Sequence, residues 1–434
     1  MSKTHPDRSH LLATVFLLSA SYINASHALD DESSSPTWDV AAPHYSVDAQ
    51  TIPLNVSEGT WMNLDVSPDG RHIAFDMLGD IYQLPISGGK AEPLLGGHAW
   101  EIQPQYSPDG RFLAFTSDRN GADNIWVMDL ANPGNKQQIT HETFRLLNNP
   151  NWHPSGNYLV AKKHFTTSRS LGTGEVWLYD ANLDAGITRE NLSGSVLVER
   201  PSAAFQKELG EPTFSADGKS VFYIQNTAPG NTFSYHEDSN GEVMAIKRYD
   251  FESGETSKVV GGAGGAVRPT PSPDGKSLAF VKRVRAASRL FVMDLESGEQ
   301  TMLVDDLDPD MQETWAVQGA YPTMAWMPDS QEIVYWSKGK IWRVDVATKK
   351  SVNIPFEVND VRKAYPAVQV AVEVAPDTLK TSMPRFAVQS PTSNTVVFES
   401  MGKLYSRYPD GKTERLTRDN SNSRELSPAF SADG

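Results

Sequence analysis

Six polar residues occupy one repeating position in this sequence. Asn63, Gln103, Asn149, Glu211, Arg268 and Ser427 each stand four residues before a short turn motif, and proline follows five of them at Pro104, Pro150, Pro212, Pro269 and Pro428. Amides offer both a donor and an acceptor, and Glu211 and Arg268 add one charge of each sign, so the set suits recognition rather than covalent chemistry. If the motifs mark equivalent points of a ring, these side chains converge on its axis. Together with Arg145 they form a channel mouth that recognises a polar or charged ligand or gates entry to a neighbouring active site. Alternatively, they cap strand ends beside a wet channel.

Searches for catalytic groupings return nothing. The sequence has ten histidines and no His-x-His pair, and His141-Glu-Thr-Phe-Arg145 has arginine where a zincin needs its second histidine. No serine has glycine at both −2 and +2, which excludes a nucleophile elbow. The run Gly261 to Gly265 lacks both a dinucleotide fingerprint and the lysine of a P-loop and is expected to be a flexible turn. Asp306, Asp308 and Asp310 have EF-hand-like spacing, but Met311 replaces the required glycine and Val317 the terminal glutamate, so a solvated acidic loop is expected. The chain is thus expected to bear no catalytic residue and no metal or other cofactor of its own.

The elements that position the polar set follow from the turn motif. Ser67-Pro-Asp-Gly70 recurs at Ser107 and Ser272, and in altered form at His153, Ser215, Met327, Ser390 and Ser431, between 40 and 63 residues apart. Proline fixes φ, aspartate bonds nearby amides and glycine accepts positive φ, so each copy is a tight turn between two strands. A later apolar strand recurs as IYQLPI at 81–86, IWVMDL at 125–130, VWLYD at 176–180, LFVMDL at 290–295 and IWRVDV at 341–346. Four short strands per repeat of about 40–45 residues, with insertions, predict an all-β propeller of six or seven blades. Insertions at 166–174, 190–208 and 228–242 are expected to be exposed loops.

Composition agrees with this: 31 glycines, 28 prolines and no cysteine among 434 residues suit short strands and tight turns held without disulfides. Lys3 and Arg8, the apolar run 11–20 and Ser26-His-Ala28 read as a signal peptide over 1–28, too short for a span. Cleavage would leave no transmembrane segment and a periplasmic protein, and would take the formal charge from −15 to −16 with the loss of Lys3, Arg8 and Asp7. So acidic a chain is not expected to bind nucleic acid. Residues 29–51 read as a flexible leader and 52–434 as the propeller.

The turn-plus-strand pattern resembles the propeller repeat of the TolB family, shared with the prolyl oligopeptidase and tricorn families. Residues 144–150 (FRLLNNP), 163–165 (KHF), 261–271 (GGAGGAVRPTP) and 310–315 (DMQETW) further resemble the N-terminal propeller region of large exported amidohydrolases. That resemblance implies a non-catalytic segment that filters substrate or docks partners, with a C-terminal catalytic domain holding a divalent metal such as zinc. Two alternatives are a stand-alone TolB-like module that binds envelope proteins and the propeller of a prolyl-oligopeptidase-type serine peptidase. The sequence stops inside its eighth turn motif, so the chain is expected to be truncated, unless its last strand closes a seven-bladed ring.

Overall fold

A computed structural model describes residues 38–45, 48–169, 171–181, 194–238, 240–365, 372–418 and 422–434. The signal peptide expected over 1–28, residues 29–37 and 46–47 of the expected leader and the loop stretch 190–193 lie outside the described residues.

Each repeat motif builds the turn it was expected to build. Ser67 Oγ donates to Asp69 Oδ1 at 2.5 Å, the Arg71 amide donates to the same carboxylate at 3.1 Å, and Gly70 takes φ 70°. The Ser–Asp bond returns at Ser107, Ser215, Ser272 and Ser431, at 2.6 or 2.7 Å. Those donors hold the Asp69, Asp109, Asp217 and Asp274 carboxyls below their usual range.

Thirty strands result among the described residues. β1 (Gln50–Val56), β2 (Leu64–Val66), β3 (His72–Met77), β4 (Asp80–Pro85) and β5 (Gly89–Leu95) belong to blade 1. Blade 2 is β6 (Glu101–Tyr106), β7 (Phe112–Ser117), β8 (Asn124–Asp129) and β9 (Lys136–Gln138). Blade 3 is β10 (Leu147–Trp152), β11 (Tyr158–Thr166), β12 (Gly172–Asp180) and β13 (Ser195–Val198). Blade 4 is β14 (Leu209–Phe214), β15 (Ser220–Asn226), β16 (Met244–Asp250) and β17 (Thr256–Val260). Blade 5 is β18 (Val267–Pro271), β19 (Ser277–Val284), β20 (Ala287–Asp294) and β21 (Gln300–Val304), and blade 6 is β22 (Ala325–Trp326), β23 (Glu332–Ser337), β24 (Lys340–Asp345) and β25 (Ser351–Ile354). Then come β26 (Phe356–Ala364), which joins blade 1, and a seventh sheet of β27 (Arg385–Gln389), β28 (Val396–Ser400), β29 (Lys403–Arg407) and β30 (Thr413–Arg415).

The ring closes at six blades. The Thr323 amide, from blade 6, donates to Asn63 Oδ1 at 3.0 Å, and Thr323 Oγ1 both accepts from the Leu64 amide and donates to its carbonyl. At the rim of blade 1 the sheet order is β1-β26-β5-β4-β3-β2, with β26 parallel to β5 and antiparallel to β1 from Gln50↔Ala364 to Val56↔Val358. Strands from both ends of the ring therefore clasp each other at its outer rim, with β1 as the edge strand of the blade. β1 begins inside the stretch read as leader. Phe75, Phe115, Tyr223 and Phe280 fill the interfaces and are fully buried.

The sequence reading put 52–434 in one propeller, whereas the chain divides into two compact units, one ending at Tyr365 and the other running from Pro366 to Gly434. With Thr323 bonded to Asn63 and Leu64 the ring has no gap for another blade. The second unit carries the seventh sheet, and its β27 repeats the ring's design, with a register shift between Arg385 and Val388 and Phe386 at φ 51°.

Candidate functional site

The repeating polar position sits on a deformed strand. Gln103, Asn149, Glu211 and Arg268 take φ 59°, 54°, 50° and 56°, a left-handed conformation uncommon for residues with a Cβ, and the pairing register shifts at each. The deformation frees each backbone amide from the ladder. Three of the four amides turn to an acceptor supplied by another blade.

Those amides bond the blades into a belt. The Gln103 amide donates to Asp76 Oδ2 at 2.8 Å, the Asn149 amide to Gln103 Oε1 at 2.7 Å, and the Arg268 amide to Glu211 Oε2 at 2.6 Å. Asp76 also accepts from the Asn63 amide and Nδ2, each at 2.8 Å. Burial pushes the Asp76 carboxyl up to about 6 against those donors, so it is ionised at neutral pH.

One end of the channel is filled by the chain itself. The segment 310–321, between β21 and β22, offers its carbonyls to the belt: Val317 to Asn148 Nδ2 at 3.1 Å and Lys162 Nζ at 2.6 Å, Gln318 to Gln103 Nε2 at 2.7 Å, and Tyr321 to Arg268 Nε at 2.7 Å. The Ala320 amide donates to Glu211 Oε1 at 2.6 Å. Arg268 Nη1 reaches Asn149 Oδ1 at 3.0 Å and its Nη2 lies 3.3 Å from Glu211 Oε1. Lys162 also pairs with Glu208, whose carboxyl burial pushes up to about 7. The segment is pinned at its start by Arg283, which holds Asp310 at 2.7 Å and also pairs with Glu313.

The plug requires glycine at two places. Gly319 has φ 117°, and a Cβ there would fall 2.1 Å from Arg268 Nη2. Gly265 has φ 60°, and its Cβ would meet Gln312 Oε1 at 1.9 Å. The run at 261–265, expected to be a flexible turn, is thus a seat for the plug, and Gln312 Nε2 donates to the Gly264 carbonyl at 3.1 Å. Asp306 pairs with Lys338, Asp308 accepts from Ser337 at 3.0 Å, and Asp310 is buried against Arg283, so the three aspartates do not converge.

The other end, where the turn motifs lie, is open and holds a cavity of about 430 Å³. Gln103, Asn149, Glu211 and Arg268 form its floor, and prolines of the turns (Pro68, Pro108, Pro154, Pro273, Pro328) line it too. Its walls carry a second set that sequence reasoning missed: Asp65, Gln105, Asn151, Thr213 and Thr270, each two residues before its turn motif. The signal was available, since alternate residues of a strand share a face. The turn residues themselves line this cavity and are more than punctuation. Burial pushes the Asp65 carboxyl up to about 7, although it accepts from the Tyr106 amide at 2.7 Å.

The sequence-predicted residues thus separate. Gln103, Asn149, Glu211 and Arg268 come together on the floor, and Asn63 joins the belt through Asp76 and Thr323. Arg145 does not line the cavity; it stacks on Phe165 at 4.1 Å, and Arg200 stacks on the same ring at 4.1 Å. Arg145 precedes β10, at the strand end away from the turn, and so cannot join the others. Ser427 belongs to the second unit, where it repeats the left-handed conformation at φ 54°.

No protein-family model matches the chain. The crystal structure of TolB from Acinetobacter baumannii superposes with a TM-score of 0.50 and 17% identity, covering 69% of this chain and 64% of that one. The chain has a TolB-like propeller fold. Among curated proteins, the Tol-Pal system protein TolB of Francisella tularensis subsp. holarctica is 23% identical over 260 residues, 58% of this chain and 51% of that protein. An uncharacterized protein of Agrobacterium fabrum is 27% identical over 165 residues, 37% of this chain and 53% of its own length. The dipeptidyl aminopeptidase BIII of Pseudoxanthomonas mexicana is 23% identical over 256 residues, 52% of this chain and 36% of that enzyme. The chain therefore spans about half or less of the length of these curated relatives.

Proposed function

We propose that this chain is the non-catalytic propeller segment of an exported, periplasmic, amidohydrolase-like hydrolase, and that its turn-face cavity docks a protein element. The observation that carries the docking part is the plug: with 310–321 bonded across one end, the channel is a blind cavity rather than a passage, which favours docking over filtering substrate. The amidohydrolase reading is supported by the sequence segments that resemble that family, two of which, 261–271 and 310–315, pack together as seat and plug. Among the described residues no three His, Asp or Glu side chains stand where they could hold a metal. On this reading a divalent ion would belong to the C-terminal catalytic domain.

The docked element belongs to a C-terminal catalytic domain or to an envelope protein. The likeness to a dipeptidyl aminopeptidase supports a second reading, the propeller of a serine peptidase. Reading the gene beyond codon 434 separates them: His-x-His with further metal ligands supports the first, a nucleophile-elbow serine the second. Assayed alone with zinc or manganese, the chain should turn over no amide or imide substrate, and robust metal-dependent turnover would overturn the reading. A photo-crosslinking amino acid at Thr213 should capture a protein segment in cells; an empty result there, with crosslinks elsewhere on the surface, would remove the docking role.

A further inference from the structure

The chemistry of the cavity selects what enters it, on the reading that it is a docking site. Its ionisable lining is short: Asp65 on β2, Tyr106 on β6, Glu211 on β14 and Arg268 on β18. Glu211 and Arg268 answer each other at 3.3 Å, and their remaining bonds go to the plug and the belt. The Tyr106 hydroxyl accepts from Gln83 at 3.0 Å. Asp65 is left as the charge with no counter-ion among the described residues: its carboxylate accepts from the backbone amides of Tyr106 and Val66 and is paired with no Lys or Arg side chain.

Hydrogen-bond donors are scarce around it. Five of the six turns in the ring place proline on the cavity, which has no N–H, and the amide walls are partly spent on each other: Asn151 Nδ2 donates to Gln105 Oε1 at 3.3 Å. The two indole N–H groups of Trp152 and Trp326 are committed to the carbonyls of Gln105 and Thr270, at 3.2 and 2.9 Å. What remains is an acceptor-rich, aromatic-lined funnel with one uncompensated carboxylate, on a chain of formal charge −15. An anion entering it would meet repulsion and few donors; a donor-rich cation would meet a charge partner and aromatic surface.

We infer that the turn-face cavity receives a cationic side chain of the docked element, a lysine ammonium paired with the Asp65 carboxylate. Lysine fits the long, narrow task better than a free amino terminus does, because its four-carbon stem can pass the proline rim while its head carries three donors.

The test titrates the whole chain with three probes, followed by NMR or calorimetry at pH 8: acetyl-Ala-Lys-Ala-amide, the same peptide with norleucine for lysine, and Ala-Ala-Ala-amide with a free amino terminus. The lysine peptide should bind saturably, while the norleucine peptide should not. Asp65→Asn should weaken the lysine peptide about tenfold or more; asparagine keeps an acceptor for the Tyr106 amide, so the fold is retained. Lowering the pH to 6 should also weaken binding, because Asp65 then takes up a proton. Equal binding of the norleucine peptide, or binding unmoved by Asp65→Asn, overturns the inference, and preference for the free amino terminus overturns the lysine assignment. If Thr213 crosslinks a partner while Asp65→Asn changes nothing, the cation fails and the docking site survives; if Thr213 captures nothing, the docking reading fails first.

Discussion

The two ends of the channel are built from the same repeated strand and treat their polar groups in opposite ways. At the plugged end the residues four before each turn are largely engaged: belt amides, plug carbonyls and the Arg268–Glu211 pair take up most of their capacity. At the open end the residues two before each turn face a cavity, and Asp65 has no charge partner. A repeat can thus spend one polar position on its own structure and leave the next available to another molecule. The difference lies in insertion 310–321, present at one end only.

The sharpest way to break this contrast is to unpair the plugged end. Arg268→Met leaves the Glu211 carboxylate buried without its cation and should cost about 3–5 kcal/mol in urea unfolding. Removing both charges as Arg268→Met with Glu211→Leu should cost clearly less than the sum of the two single changes, and simple additivity would show that the pair is not the anchor. Gly319→Val adds a clash with the Arg268 guanidinium to a φ of 117° that valine resists. It should destabilise by about 1–3 kcal/mol and raise amide exchange over 310–321. Asp76→Asn replaces an acceptor by a donor before three N–H groups and should cost about 1–3 kcal/mol.

Much of the fold was legible and little of the plug was. Turn chemistry is local: Ser67, Asp69 and Gly70 lie within four residues, so their composition alone reports the turn. Blade count was not, because closure depends on Thr323 meeting Asn63 and on Phe356 to Ala364 returning to β5, pairings with no local signature. Glu211 and Arg268 were found by counting back from the turns, but their engagement with Ala320 and Tyr321 spans long stretches of chain. Asp65 and Thr213 were missed although each lies two residues after one already singled out, Asn63 and Glu211, since only the cavity shows which position stays unused.

A smaller effect separates the two ends by pH. The Asp65 and Glu208 carboxyls, ordinarily near 4, are pushed to about 7 in the folded chain. The folded state therefore holds protons that the unfolded chain has released, and the stability this contributes is lost as pH rises through 7. Buried His164 is pushed down to about 3, so it opposes this trend only below its ordinary value of 6.5. Unfolding midpoints should accordingly fall between pH 6.5 and 8, and Asp65→Asn should flatten part of that slope while Arg283→Lys leaves it. Smallest of all, Thr213→Trp should fill the open cavity with a stability change within about 0.5 kcal/mol, yet abolish capture of the lysine peptide. A large loss of stability would mean that the open end, like the other, is structural.

The ribbon of β1 and β26 carries a mechanical consequence. Gln50 faces Ala364, and Tyr45 stacks on Tyr365 with centroids 3.9 Å apart, so the chain enters and leaves the ring at the same point. Tension applied between the segments before and after the ring does not stretch the blades. It peels the ribbon apart one residue pair at a time, as a zipper opens, and the six blades bear load only once those seven pairs have been released.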